Sequence, residues 1–329
     1  MNILYILDDN FVPQVAAGIC SVCENNKEEQ DICFYIISLH ISEKNEKLLA
    51  EFVNRYQING VRRSISFVEV ENVNDLFDFP IDTKNWNPVV LIRLIMDRLL
   101  PETVQRVLYL DGDTIVRGSL HALMETDMQA CSIGACIEPT CSRKRKEVLG
   151  LKHMPYYNAG VLLIDLDNWR KNQTGKEILD YYRDNGGFLF ANDQDAINGS
   201  QKGKIKTLSC TYNYHNTYDI YNYRIFKNCD YEVPSKEEIR QIKKNPCIIH
   251  YLGEERPWRT GNTHRFRDDY LRYLDMTPWK GMNMEAGWNR YFLCWRIFNV
   301  VMKPFPLCRC YMINTLMPVL LKKKHSKRR

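Results

Sequence analysis

Apolar, β-prone runs alternate with amphipathic stretches of helical spacing over the first 110 residues. The apolar runs predict buried strands at residues 2–7, 32–39, 64–70 and 104–110. The amphipathic stretches predict helices at residues 12–25, 43–56 and 88–100. Strands that alternate with helices are typical of an α/β fold, with a mostly parallel, doubly wound (Rossmann-like) sheet and helices on both faces.

The same kind of pattern continues through the middle of the chain. Further strands are predicted at residues 131–137, 158–165 and 247–252. An amphipathic helix is predicted from residue 167 to about residue 185, and a loop rich in Tyr and Asn at residues 212–223. Neither a GxGxxG nor a Walker A sequence is present, so a dinucleotide site or a P-loop has no local support.

Acidic side chains follow the first and the fourth predicted strands. Asp8 ends the first strand, and Asp111 and Asp113 flank a glycine directly after the fourth. Ligands bind at the carboxyl ends of strands in such sheets, so we expect these side chains on one rim. Residues i and i+2 of an extended segment point the same way, and hard oxygen donors suit Mg²⁺ or Mn²⁺. The motif therefore predicts metal-assisted chemistry on a phosphorylated substrate.

Two enzyme classes use this motif. In a haloacid-dehalogenase-type phosphatase, Asp111 would be the nucleophile and Asp113 the general acid and base. That class also needs a late Gly-Asp-x-x-x-Asp type cluster, which we do not find, and its motif usually opens the fold. In a nucleotide-sugar glycosyltransferase, the carboxylates would instead hold a divalent metal that bridges the diphosphate of the leaving group.

The glycosyltransferase hypothesis needs a nucleoside pocket, a third metal ligand and a cation near the diphosphate. Asp8 and Asn10 can hydrogen-bond a base and ribose, and Phe11 can stack on the base. The late strand carries His250 as a third ligand. The glycine amide of Gly253 and the guanidinium of Arg256 follow within seven residues. All of these side chains are candidates for donor binding.

Five motifs in order over residues 1–260 resemble glycosyltransferase family 8, and most closely the bacterial galactosyl- and glucosyltransferases of lipopolysaccharide and related surface glycans. The motifs are Asp8–Phe11, Tyr109–Asp113, Tyr157–Asp165, Asn192–Asn198 and His250–Trp258. Two positions depart from the family pattern: Phe11 stands where Tyr is common, and Arg256 stands where Lys is usual. Arg is not equivalent to Lys, but it still binds phosphate.

The resemblance implies a GT-A type fold, a UDP-glucose or UDP-galactose donor, and Mn²⁺ (or Mg²⁺) bound by Asp111, Asp113 and His250. It also implies a transfer that retains the anomeric configuration. The residues expected to contact the donor are Asp8, Asn10, Phe11, Arg93, Asp111, Gly112, Asp113, Asn158, Ala159, Asp193, Gln194, His250, Gly253 and Arg256. The expected catalytic residues are Asp193, Gln194 and Asp195.

Retention needs either a protein nucleophile or a same-face substitution in which the leaving phosphate helps to deprotonate the acceptor. Gln194 is a poor nucleophile, and we do not expect Asp195 to reach the sugar. The same-face route is therefore the working hypothesis.

The net charge of +5 hides an asymmetry. Residues 286–329 hold ten Lys or Arg and no acidic residue, which leaves 35 basic and 40 acidic groups in the rest of the chain. From Trp288 onward, aromatic and aliphatic side chains mingle with these cations, as in segments that lie on anionic membranes. A packed helix followed by a basic tail, or a nucleic-acid arm, are the alternatives. The aromatic content argues against nucleic acid, which we do not expect as a partner.

These patterns predict two units, a catalytic domain at residues 1–275 and a membrane-attachment segment at residues 276–329. The N-terminus has no basic region and turns acidic at once, unlike a signal peptide. No apolar window of about 20 residues is present. We therefore expect a cytoplasmic enzyme on the inner face of the cell membrane, whose partners are a UDP-sugar and a glycan or glycolipid acceptor.

Overall fold

The structure, a computed structural model, describes residues 1–58, 60–84, 86–220, 223, 226, 229, 231–309 and 311–313. A seven-stranded sheet has the order β3-β2-β1-β4-β7-β6-β8, and β5 pairs with β9 in a second sheet. The strands are β1 (Asn2–Asp8), β2 (Asp31–Leu39), β3 (Arg62–Glu69), β4 (Arg106–Leu110), β5 (Thr114–Val116), β6 (Ile133–Ile137), β7 (Tyr157–Asp165), β8 (Ile205–Leu208) and β9 (Ile248–His250).

Helices connect most of these strands. The α-helices are α1 (Val12–Asn25), α2 (Glu43–Asn54), α3 (Met96–Leu99), α4 (His121–Met124), α5 (Arg143–Val148), α6 (Leu166–Lys171), α7 (Thr174–Asp184), α8 (Asn192–Ser200), α9 (Thr217–Ile220), α10 (Lys236–Lys244), α11 (Arg267–Asp275) and α12 (Asn289–Met302). Four 3₁₀ helices span Asp9–Phe11, Val73–Leu76, Pro88–Ile95 and Cys210–Tyr212 in the described residues.

The central sheet has a hydrophobic core on each face. Along β1, Ile3 and Tyr5 point into one core, which α1 covers, while Leu4 and Ile6 point into the other. Alternate residues of a strand face opposite sides, so an uninterrupted apolar run is what a strand buried on both faces requires. The predicted α/β sheet with helices on both faces is confirmed.

Strand β7 runs against its neighbours. It pairs antiparallel with β4 and with β6, whereas β1, β2, β3 and β4 are parallel to one another and β6 is parallel to β8. Eight of its nine residues are buried. A strand buried on both faces has the same apolar pattern in either direction, so the sequence could not reveal this reversal.

Two predicted helices differ from the observed ones. The segment predicted as one helix at residues 88–100 is the 3₁₀ helix Pro88–Ile95 followed by the short α3. The helix predicted at residues 167–185 is divided into α6 and α7, because Gln173 between them adopts a left-handed conformation with φ of 52°. The predicted loop at residues 212–223 contains the short α9, and its residues 221 and 222 lie outside the described residues.

Helix α12 is joined to the loop that follows β9 by the Arg259 clamp. Arg259 Nε lies 3.0 Å from Glu285 Oε2, and its Nη1 donates to the Glu254 carbonyl oxygen at 3.0 Å. Its guanidinium lies 3.6 Å from the ring centroid of Trp288, and Trp295 donates to Glu255 from within α12. The start of the aromatic C-terminal segment is thus fixed to residues 254–259.

The outer face of α12 is apolar and exposed. Leu293, Ile297, Val300 and Val301 are 49 to 68% exposed, and their spacing places them on one side of the helix. Among the described residues, no helix is both long enough and apolar enough to cross a membrane. The basic residues 322–329 lie outside the described part of the chain, and the predicted boundary at residue 275 stays a prediction.

Candidate active site

A tight turn after β4 brings the two carboxylates beside the late histidine. Asp111 N donates to Gly160 O at 2.8 Å, and Thr114 N donates back to Asp111 O at 3.1 Å. The chain then enters β5, where Thr114 pairs with His250 of β9. The pairing of β5 with β9 is therefore what carries His250 to Asp113 from more than 130 residues away in the sequence.

The side chains of Asp111, Asp113 and His250 form a compact cluster. Their ligand atoms all lie within 4.8 Å of one another. His250 Nε2 is 3.2 Å from Asp113 Oδ1 and 3.6 Å from Asp111 Oδ2. Two carboxylates and an imidazole nitrogen that faces them form a donor set that suits a divalent cation such as Mn²⁺.

Taken together, attractions between opposite charges in this cluster shift the pKa values of His250 and Asp113 more than burial does. Burial disfavours the charged imidazole, but attraction to Asp113 and Asp111 raises the pKa of His250 above its usual value. Burial likewise disfavours the charged form of Asp113, but His250 and Arg256 together hold the pKa of that carboxyl below its usual value. The carboxylate of Asp113 is thus ready to bind a cation at neutral pH.

Gly160 on β7 leaves the room that His250 occupies. A Cβ at this position would lie 2.0 Å from His250 Cε1 and 2.8 Å from Asp111 Oδ2. The glycine of the Asn-Ala-Gly sequence is therefore required by the histidine and not by its backbone conformation. Gly160 lies within the motif Tyr157–Asp165, but the motif alone did not indicate this steric role.

Arg93 is a buried organiser of the site. Its Nη1 donates to Ala159 O at 2.7 Å, its Nη2 donates to Asp111 Oδ1 at 2.9 Å, and its Nε lies 3.1 Å from Asp193 Oδ2. Its guanidinium stacks over the Tyr109 ring at 4.4 Å. Arg93 is only 6% exposed, so it is not an ordinary surface cation. Burial raises the pKa of Asp193 to about 6 although Arg93 opposes that shift.

Gln194 and Asp195 are both engaged within the protein. Gln194 accepts from Ala159 N at 3.0 Å and donates to the Tyr156 hydroxyl at 3.0 Å. Asp195 Oδ1 accepts from Arg145 at 2.9 Å, and Oδ2 accepts from Ala191 N at 2.9 Å. Because both oxygens of Asp195 are bound in a buried position, this carboxylate supports α8 and does not face a cleft.

The end of β1 forms the neighbouring part of the rim. Asp8 accepts from Asn10 N at 3.0 Å and from Asn87 Nδ2 at 2.7 Å. Phe11 packs edge-to-face on Trp258, and the Arg256 guanidinium lies 5.5 Å from its ring.

Arg256 also links this rim to the cation cluster. Its Nε is 3.9 Å from Asp113 Oδ2. Gly253 has a φ of 68°, a turn conformation that favours glycine. Arg256 consequently lies between the Phe11 ring and the Asp113 carboxylate. Gly112 adjoins Phe11 as well, since a Cβ there would lie 3.0 Å from its ring.

Comparison with known protein families bears directly on the two enzyme classes. The profile of the family described as "Glycosyl transferase family 8" matches residues 2–261, which is most of the chain. The chain belongs to glycosyl transferase family 8.

Relatives of this family member span nearly the same length. General stress protein A of Bacillus subtilis is 24% identical over 87% of this chain and 97% of the relative. The lipopolysaccharide 1,2-glucosyltransferase of Escherichia coli is 25% identical over 85% of this chain and 80% of its own length. The crystal structure of the galactosyltransferase LgtC with donor and acceptor sugar analogues matches with a TM-score of 0.70 and 25% identity, covering 84% of this chain and 96% of that one.

Membership of family 8 makes this chain a glycosyltransferase, and the predicted GT-A type fold is confirmed. Enzymes of this family use UDP-sugar donors and a divalent metal, and they need a glycan acceptor. The phosphatase alternative is not favoured, because the family 8 profile matches most of the chain. The strand that precedes Asp111, β4, is also the fourth strand of the chain, whereas the phosphatase motif usually follows the first.

Several residues of this family 8 site carried no signal in the sequence. Asn87 donates to Asp8 from 79 residues away, and Tyr156 donates to Asp195 from 39 residues away. Arg145 binds Asp195 from 50 residues away. Such partners meet only through the fold, so no local spacing could reveal them.

Proposed function

We propose that this chain is a metal-dependent, retaining hexosyltransferase that transfers glucose or galactose from a UDP-sugar to a glycan or glycolipid. The observation that carries the proposal is the convergence of Asp111, Asp113 and His250 beside Arg256. Relatives named as a lipopolysaccharide glucosyltransferase and as a galactosyltransferase support a hexose donor and an acceptor of the lipopolysaccharide or surface-glycan type.

At the nucleotide end, Asp111, Asp113 and His250 would hold Mn²⁺ or Mg²⁺, which neutralises the charge of the departing UDP. Arg256 supplies a further positive charge for the diphosphate, and the Gly253 amide provides a donor beside it. The Phe11 ring would stack on the base.

Asp8 and Asn10 would bind the nucleoside by hydrogen bonds. Asp8 is already oriented by Asn87. Because Phe11 lacks the hydroxyl of the Tyr that is common at this position, hydrogen bonds to the nucleoside would come from these two polar side chains.

At the sugar end, Arg93 holds Asp193 and the Ala159 carbonyl in place. Asp193, Asn158 and Gln194 would bind the hydroxyls of the hexose. Asp195 has both oxygens occupied by Arg145 and Ala191 N, which supports a same-face substitution over a covalent intermediate on this residue. The departing phosphate would then accept the acceptor's proton.

Release of UDP from UDP-glucose or UDP-galactose tests the proposal. With Mn²⁺ the enzyme should release UDP slowly even without acceptor, and Asp111→Asn should abolish the release. The amide loses the charge that holds the cation but nearly keeps the shape of the side chain. Hydrolysis of a generic aryl phosphate, with UDP-sugars left intact, would contradict the proposal and support a phosphatase.

We further propose that residues 276–329 attach the catalytic unit, residues 1–275, to an anionic membrane surface on the cytoplasmic side. The apolar face of α12 is exposed and lies near the exposed cations Arg290, Arg296 and Lys303. Apolar side chains bordered by cations are the composition that binds anionic headgroups and the acyl boundary together. A glycolipid acceptor in that membrane would then be presented to the site.

A further inference from the structure

His250 contacts a second polar side chain on the side of its ring away from the carboxylates. Its Nδ1 lies 2.9 Å from Asn213 Oδ1, while its Nε2 faces Asp113 and Asp111. Asn213 and His250 are each 1% exposed, so this contact is shielded from solvent. The ring therefore has one partner on each nitrogen.

The orientation of the Asn213 amide follows from a backbone N–H. Gly160 N lies 2.9 Å from one terminal atom of the Asn158 amide. A backbone N–H can only donate, so that atom is the Asn158 oxygen. The Asn213 atom that is 2.9 Å from the same oxygen must then be the amide nitrogen. Asn213 Oδ1 consequently faces His250 and accepts a hydrogen from Nδ1.

We propose that Asn213 is a positioning residue of the cation site, which fixes His250 with a hydrogen on Nδ1 and a lone pair on Nε2. This inference rests on the metal dependence proposed above. Metal-binding histidines usually donate their other N–H to an oxygen acceptor, and that contact sets both ring orientation and tautomer. A neutral amide does this without adding a third negative charge beside Asp111 and Asp113.

The backbone, and not the Asn213 side chain, holds this segment against β9. Tyr214 N donates to Ile248 O at 2.9 Å, and His250 N donates to Tyr214 O at 2.7 Å. Cys247 N donates to Thr211 O at 2.9 Å on the other side. Removal of the Asn213 amide should leave these bonds intact, so its effect on the cation site can be measured separately.

The affinity of the full-length chain for Mn²⁺ alone, followed by the electron paramagnetic resonance signal of free Mn²⁺, tests the proposal. Asn213→Ala should bind Mn²⁺ about ten- to a hundredfold more weakly. Asn26→Ala is the matched control, because Asn26 is also buried and bonds Val22 O and Leu120 N far from the site. It should lower the melting temperature but leave Mn²⁺ affinity unchanged. Unchanged affinity in Asn213→Ala would overturn the proposal.

His250→Ala distinguishes this failure from failure of the proposed function. If His250→Ala also binds Mn²⁺ normally, the cation site itself is wrong. If it loses Mn²⁺ while Asn213→Ala does not, only the positioning role is wrong.

Long-range ¹H–¹⁵N spectra of the metal-free protein in alkaline buffer give a second readout, with His250→Ala used to assign the ring signals. The His250 ring should carry its hydrogen on Nδ1, and Asn213→Ala should show a mixture of tautomers. A hydrogen on Nε2 in the unmodified protein would overturn the proposal.

Discussion

Arg145 Nη2 lies 2.6 Å from Asp195 Oδ1, in a contact that closes the buried end of α8 against α5. The same carboxylate oxygen accepts from the Tyr156 hydroxyl at 2.7 Å, and the Arg145 guanidinium lies 4.8 Å from the Tyr156 ring. Asp195 directly follows Gln194, so this contact also fixes where the proposed sugar-binding residues stand.

Asp195→Ala should therefore lower the free energy of unfolding by about 2–4 kcal/mol, since it leaves Arg145 and Ala191 N without their acceptor. Urea denaturation measures the loss. Asp180→Ala is the control, because Asp180 pairs with Lys176 and Arg183 on the surface of α7 and should matter by less than about 1 kcal/mol. An unchanged free energy of unfolding would contradict this structural role. A covalent glycosyl adduct on Asp195, detected by mass spectrometry of the unmodified enzyme with donor, would overturn the same-face substitution.

Gly160→Ala should abolish Mn²⁺ binding or weaken it more than about tenfold, because its Cβ would occupy the place of His250 Cε1. Titration calorimetry with Mn²⁺ is the measurement. Gly118→Ala serves as the matched control, since its Cβ would make only an ordinary contact of 3.4 Å with Cys247 Sγ. Equal Mn²⁺ affinities in the two variants would show that His250 does not contribute to the cation site.

Stability should fall as the pH drops from about 6.5 towards 4, in part because of His264. Burial, together with the nearby Arg265, lowers the pKa of His264 to about 4, and its Nδ1 accepts from Phe266 N at 3.2 Å. The unfolded chain takes up a proton below about pH 6.5 that the folded ring refuses, so stability is complete above that pH. The loss approaches about 1.4 kcal/mol per pH unit for this one group.

His264→Asn keeps an acceptor but cannot titrate, so its unfolding free energy should depend less steeply on pH in that window. Above pH 6.5 the curves of the variant and the unmodified protein should run parallel. Parallel curves all the way down to pH 4 would mean that the folded ring accepts a proton normally.

Replacement of Leu293 and Ile297 by Ser should weaken binding to anionic phosphatidylglycerol vesicles by about tenfold per side chain, since each loses roughly 1.5 kcal/mol or more of apolar burial. Sedimentation with the vesicles measures this, and the melting temperature should not change because both side chains are exposed. Val148→Ser alters an even more exposed apolar residue on α5 and should leave binding unaffected. Full binding by the double variant would place the attachment elsewhere.

The sequence located seven of the nine described strands, and the acidic residues at their carboxyl ends, because both depend on local patterns. It missed the short strands β5 and β8. The helix Val12–Asn25 has the predicted bounds, and the acidic residues after β1 and β4 do lie on one edge, since these strands are adjacent and parallel. What the sequence could not supply was the direction of β7. Its residues are buried on both faces, and such a run is apolar whichever way it is paired.

Contacts between distant side chains were equally out of reach. Arg93 is buried on a 3₁₀ helix, whereas its sequence predicts an α-helix. Because a 3₁₀ helix has three residues per turn, it turns different side chains towards the core than an α-helix would. Asn213 meets His250 only because its segment pairs with β9. These partners determine how the site is built, whereas the residues proposed to contact the donor, apart from Arg93, stand within the sequence motifs.

The Arg259 clamp joins α12, the helix proposed to face the membrane, rigidly to residues 253–259, the loop proposed to bind the diphosphate. Arg256 lies three residues before Arg259, within the loop that Glu285, Trp288 and Trp295 hold. A bilayer that immobilises α12 would thus also fix the mouth of the donor cleft at one height and tilt above its surface. The distance from the membrane at which an acceptor can enter the site would then be set by this rigid connection, and not by the length of a flexible linker.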